Sequence, residues 1–127
     1  MDVKVLDASA LLAILFREPE RAEVARRLEG ARLVAPSLLW FEIVNACVIK
    51  IRRHSAIRES ILAAFSLQAQ FPVEAAEVDH AGALALAEET GLTGYDASYL
   101  WLARLLNAEL VTLDTSLARA FAALRHS

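Results

Sequence analysis

Four short strand-like runs, at residues 3–6, 33–35, 73–78 and 109–113, recur along this 127-residue chain, each pair separated by room for two helices. The first interval holds a helix at 9–17, ended by Pro19 because the residue before a proline is biased away from helix, and a second at 20–28, stopped at Gly30. In the next, Pro36-Ser37 opens a long apolar helix through Arg53, His54-Ser55 breaks it, and 56–70 is helical again. The third interval carries a helix at 80–90 closed by Gly91. A further helix there starts at Thr93-Gly94-Tyr95-Asp96, a capping-box pattern, and runs through Leu106. Residues 115–124 form the last helix. Strands joined by helical crossovers predict a mainly parallel sheet with helices on both faces. The third strand is the weakest, diluted by Glu74, Ala75 and Ala76. There are no repeats, low-complexity stretches or linkers, so a single domain over residues 1–127 is expected.

Composition narrows the class. Hydrophobic residues make up 57% of the chain, above the roughly 45–50% usual in soluble domains. The surplus, largely Ala and Leu, exceeds what one small domain hides and predicts self-association or a tightly bound partner. A net charge of −3 does not advertise nucleic acid, although local charge matters more than the sum. Cys47 is the lone cysteine and forms no internal disulfide, which suits a reducing, cytoplasmic setting. The start of the chain has no secretory pattern, and no apolar run approaches the ~18 residues of a membrane span.

Four acids stand where apolar segments stop or are interrupted: Asp7 in Val-Leu-Asp-Ala-Ser, Glu42 in Trp-Phe-Glu-Ile-Val-Asn, Asp96 in Gly-Tyr-Asp-Ala-Ser-Tyr and Asp114 in Val-Thr-Leu-Asp-Thr-Ser. Taken singly, each has a bland reading. Asp7 and Asp114 can cap the following helix, Asp96 can be the acid of its capping box, and Glu42 can sit on an exposed stripe. Taken together, they point to convergence. Ligands of a parallel sheet bind beyond the carboxyl ends of its strands. Asp7 and Asp114 end strands, Asp96 starts a helix, and Glu42 lies one turn into another with Asn45 on its face.

Convergence needs a cation. Two carboxylates ~4 Å apart repel by about 4 kcal/mol at an effective dielectric near 20, and the chain has too few suitably placed Lys or Arg to pair all four. An all-oxygen donor set suits Mg²⁺ or Mn²⁺. Zinc is disfavoured, because His54, His80 and His126 lack ligand spacing. Small carboxylate sites of this kind serve phosphoryl chemistry.

The segments around the four acids resemble the acidic motifs of PIN-domain ribonucleases, over essentially the whole chain and in the same order and spacing. The small single-domain members are the VapC-type toxins of type II toxin–antitoxin pairs. The resemblance implies a three-layer α/β/α sandwich with a mainly parallel sheet of four to five strands. It implies Mg²⁺- or Mn²⁺-dependent cleavage of RNA to 5′-phosphate and 3′-hydroxyl ends, a homodimer, and a small antitoxin partner. By position, Asp7, Glu42, Asp96 and Asp114 form the acidic site, with Asp7 and Asp96 the foremost metal ligands. Ser9 matches the hydroxyl residue two after the first Asp, either orienting that carboxylate or capping the helix. Asn45 and Thr112 are candidate supporting donors.

Lys50-Ile51-Arg52-Arg53-His54 is the densest basic run. Cations at a helix end complement its dipole; alternatively Arg52 and Arg53 grip RNA phosphates. Trp40, Phe41, Tyr99 and Trp101 fit the core at helical spacing, while Tyr95 and Tyr99 flank Asp96 and are the better candidates for lining a site. A phosphorelay receiver would need an adjacent acidic pair and a late Lys, and a nucleotide-binding fold a Gly-rich loop; neither is present. The serious rival is a non-catalytic PIN-like module whose acids bind a metal structurally or grip a basic partner.

Overall fold

The computed structural model describes residues 2–125, so His126 of the scattered histidines lies outside the described residues. Four strands, β1 (Val3–Leu6), β2 (Arg32–Pro36), β3 (Val73–Ala76) and β4 (Glu109–Val111), form one sheet in the order β3-β2-β1-β4. All three pairings are parallel. Among the described residues the helices are α1 (Ala8–Leu15), α2 (Arg21–Leu28), α3 (Leu38–Arg53), α4 (Arg58–Ser66), α5 (His80–Thr90), α6 (Gly94–Leu106) and α7 (Thr115–Arg125). They flank the sheet as a three-layer α/β/α sandwich. α1 packs on α2 and α3, and α3 on α4, while α6 packs on α5, α7 and the central strands. A parallel strand covered on both faces reads as continuous apolar sequence. Val5, Leu6, Leu110 and Val111 are buried accordingly, with Leu11, Leu39, Leu100 and Leu117 covering them.

Several boundaries move from the sequence expectation, each for a local reason. The first helix ends at Leu15, before Pro19 acts. Arg17 turns left-handed (φ 51°), while its N–H donates to Ile14 O and the Glu18 N–H to Ala13 O. That pair of bonds is a Schellman closure with Arg in the seat usually held by glycine. Residues 56–70 are not one helix: 3-10 turns at Ser55–Ile57 and Leu67–Gln70 bracket α4. Pro72 forces Phe71 to an extended conformation (ψ 121°), and the helix tightens as it ends. β3 stops at Ala76, opposite the last residue of β2, Pro36. β4 stops at Val111 because the next backbone donors turn to side chains, Leu113 N–H to Ser9 Oγ and Asp114 N–H to Thr112 Oγ1.

Two features fix the α5–α6 pair. Gly91, at φ 77°, closes α5 in the left-handed region where a side chain is disfavoured. Gly82 lies against the Trp101 indole so closely that a Cβ there would collide with Nε1. The expected Thr93 cap is present, accepting from the Asp96 N–H at 3.1 Å. No helix among the described residues is long and apolar enough to cross a membrane.

Candidate acidic site

The strand order makes the site. From β1 the chain steps to β2 and β3 on one side, while β4 pairs on the other. The crevice beyond the carboxyl ends of β1 and β4 is therefore the topological switch point, where parallel sheets bind ligands. Leu6 is in register with Val111, so the residues that follow, Asp7 and Thr112, leave the sheet side by side.

Asp7 is the most constrained of the acids. Only 5% of it is exposed. Its Oδ1 accepts from Ser9 Oγ at 2.7 Å and from the Ala10 N–H at 3.1 Å, capping α1, and its Oδ2 accepts from Thr112 Oγ1 at 2.5 Å. Helix capping and carboxylate orientation, alternatives in the sequence, are thus combined in one residue. Burial raises the Asp7 pKa above the ordinary 3.8; the bonds from Thr112, Ser9 and Ala10 work against that, and Asp114 adds to it. Asp114 accepts from the Leu117 N–H at 2.9 Å and so caps α7.

Glu42, half-buried on α3, accepts from the Tyr99 hydroxyl at 2.5 Å. Burial pushes its pKa up, the Tyr99 bond opposes that, and Asp96 and Asp7 push it further up. Asp96, in the first turn of α6, is likewise raised by burial and then by Asp114 and Asp7. Burial, with Glu42 beside it, drives the Tyr99 phenol far above its ordinary 10.0, so this hydroxyl remains a donor. Tyr99 is 1% exposed, whereas Tyr95, the other tyrosine beside Asp96, is 68% exposed.

The four acids therefore feel one another across long sequence separations. Among the described residues none forms an ion pair with Lys or Arg; the cations pair elsewhere, with Glu23, Glu59, Glu74 and Glu109. Nor do any three Asp, Glu, His or Cys side chains among the described residues stand close enough to grip one ion. Asp7 and Glu42 instead engage hydroxyl donors. Uncompensated negative charge and an all-oxygen donor set at a partly dry edge are what Mg²⁺ or Mn²⁺ requires, so the residues present fit such an ion chemically.

Residues 4–122 match the PIN domain family. The chain belongs to the PIN-domain family. It is 35% identical to Ribonuclease VapC3 of Pyrobaculum aerophilum, an alignment covering 94% of this chain and 95% of that protein. That similarity places it with the VapC-type PIN domains. Its fold also matches the crystal structure of PAE2754 from Pyrobaculum aerophilum, with a TM-score of 0.66 and 26% identity over 97% of this chain and 93% of that one.

The other residues singled out in this PIN domain are placed as follows. Ser9 and Thr112 both reach Asp7 and lie 3.3 Å from each other. Asn45 is exposed and makes no hydrogen bond to the acids among the described residues. Arg52 and Arg53 are exposed near the carboxyl end of α3, ten and eleven residues beyond Glu42 and so about 15–17 Å along the axis at about 1.5 Å per residue. The bond from Tyr99 to Glu42 escaped the sequence reading. Its signal was the spacing from Asp96 to Tyr99, three residues and hence one helix face, which showed the tyrosine near the site but not its partner.

Proposed function

We propose that this PIN domain, as one folded unit, is an endoribonuclease dependent on Mg²⁺ or Mn²⁺, with Asp7, Glu42, Asp96 and Asp114 as its acidic site. The observation that carries the reading is Asp7, a buried carboxylate held by three donors, crowded by other acids and, among the described residues, paired with no cation. The name of its relative, Ribonuclease VapC3, supports the RNA substrate. A bound divalent cation supplies water activation and charge neutralisation at a phosphodiester. Ser9 and Thr112 fix the orientation of Asp7, and Tyr99 fixes that of Glu42. Asp96 lies in the first turn of α6, a helix with five buried residues. Asn45 is proposed as a supporting donor to the acidic site, and the exposed Arg52 and Arg53 are proposed to meet the RNA through its phosphates.

The biological setting proposed follows from the VapC-type resemblance of the four acidic motifs. We assign the chain the role of a toxin in a type II pair, neutralised by a small cognate antitoxin, working in the cytoplasm as a homodimer. Phe41, Val44 and Ile49 are exposed on α3, with Phe41 76% exposed, apolar surface of the kind a second copy covers. Light scattering at micromolar concentration is expected to give twice the monomer mass; a clean monomer removes the dimer.

The activity is tested by incubating the purified protein with several structured RNAs, with and without Mn²⁺. Cleavage that EDTA stops and Asp7→Asn abolishes supports the nuclease. Intact RNA on every substrate, together with Mn²⁺ binding, favours the non-catalytic module.

A further inference from the structure

Beside the acids, along the same carboxyl edge of the sheet, lies a cleft of about 480 Å³, a size typical of small-molecule sites. Its apolar lining is Pro36 and Leu38, at the end of β2 and the start of α3, with Ala76 and Val78 at and after the end of β3; Ser98, which donates to Gly94 O, also lines it. Around it stand Ser37, Glu77 and His80, all exposed. These polar groups are uncommitted. Ser37 precedes α3 without capping it, and among the described residues Glu77 and His80 have no hydrogen-bond or ion-pair partner. A concave lining of apolar side chains with a few polar groups around it is the usual make-up of a ligand site.

The placement says what. Leu38 in the lining and Glu42 in the acidic site are four residues apart on α3, one turn and one face. A single strand whose phosphate lay at the acids would therefore put a neighbouring base within reach of this cleft. We infer that the cleft bounded by Ser37, Glu77 and His80 is a nucleobase subsite that holds one unpaired base next to the scissile phosphate. This inference rests on the ribonuclease reading and deepens it. The apolar lining covers one face of the base, and the His80 ring offers a stacking surface. Glu77 sets the preference. A carboxylate accepts hydrogen bonds, so it selects bases presenting an exocyclic amino group, as guanine, adenine and cytosine do. Uracil offers one imino N–H between two carbonyl oxygens, which repel the carboxylate.

The test is equilibrium binding of fluorescein-labelled ten-nucleotide oligo(A), oligo(C) and oligo(U) RNAs, read by anisotropy, using Asp7→Asn protein so that no probe is cut. Oligo(A) and oligo(C) are expected to bind roughly fivefold tighter than oligo(U), the worth of one net hydrogen bond. Glu77→Ala in that background should bring the ratio to about one, and His80→Ala should weaken all three. Equal binding of the three RNAs, no measurable binding, or a ratio untouched by Glu77→Ala overturns the subsite. Cleavage by the wild-type chain is scored separately. Base preference without cleavage sinks the nuclease and leaves the subsite; cleavage without base preference does the reverse.

Discussion

Thr112 Oγ1 stands 2.5 Å from Asp7 Oδ2, across 105 residues of chain. The same hydroxyl also accepts the Asp114 N–H at 3.0 Å. One threonine thus ties the end of β1 to the end of β4 and sets the spacing of two acids. Its position follows from strand register, since Leu6 and Val111 are paired immediately before it.

Removing that hydroxyl leaves a buried carboxylate short of a donor. Thr112→Val is therefore expected to cost about 1.5–3 kcal/mol, the range for bonds to charged groups, and to raise the Asp7 pKa further. Urea denaturation at pH 7 measures the loss. An unchanged midpoint would show that Asp7 does not depend on the hydroxyl.

Asp7→Asn should do the opposite to stability in metal-free protein. Asp7 has a folded pKa above its ordinary 3.8, so the folded state binds its proton more tightly than the unfolded state. Its contribution is favourable below 3.8 and is lost as pH rises through the folded value. Asn keeps an oxygen for Ser9 and Ala10 and carries no charge, and its amide can donate to Thr112. Thermal unfolding in EDTA at pH 7 is predicted to show a higher Tm for the variant and no gain on adding Mn²⁺. A lower Tm in EDTA would mean that burial does not strain this carboxylate.

At the other end of the sheet the sign reverses. Burial pushes Glu109 up, but Arg27 and Lys4 more than offset it and hold the carboxyl below the ordinary 4.5. The Arg27 bond is 2.7 Å and the Lys4 contact 3.4 Å. This stabilisation is complete above 4.5 and is lost as pH falls through the lower folded value. Glu109→Gln should cost about 1 kcal/mol or less at pH 7, since the pair is partly solvated. The difference from wild type should vanish on acidification, while RNA cleavage stays unchanged. Denaturation curves at pH 7 and pH 3 check it.

The Tyr99 bond to Glu42 predicts a kinetic signature. In Tyr99→Phe the bond that lowers the Glu42 pKa is gone while burial and the neighbouring acids still raise it. The acidic limb of the cleavage pH profile should move to higher pH, with a stability loss of about 1 kcal/mol. A profile superimposable on wild type would remove Glu42 ionisation from the rate.

Much of this architecture was legible in the sequence, because strand-helix alternation and the apolar runs at Val5-Leu6 and Leu110-Val111 admit little besides a covered parallel sheet. The positions of the acids were legible as polar residues where apolar segments stop, as at Asp7 and Asp114, or are interrupted, as at Glu42 and Asp96. What was hidden depends on three-dimensional register. The pairing of Leu6 with Val111 delivers Thr112 to Asp7, and no local pattern encodes it. The left-handed turn at Arg17 was also hidden, since an arginine gives no signal for a conformation glycine usually takes. The helix at 56–70 looked continuous because its composition is helical throughout, while Pro72 acts backwards on residues before it.

The central claim is that four remote carboxylates form one divalent-cation site. Calorimetric titration of Mn²⁺ into metal-free protein tests it most directly, comparing wild type with Asp7→Asn, Glu42→Gln, Asp96→Asn and Asp114→Asn. The account predicts saturable binding that Mg²⁺ competes away and that Asp7→Asn and Asp96→Asn each abolish, with Glu42→Gln and Asp114→Asn weakening it. Mn²⁺ binding of wild-type strength in all four variants would contradict it.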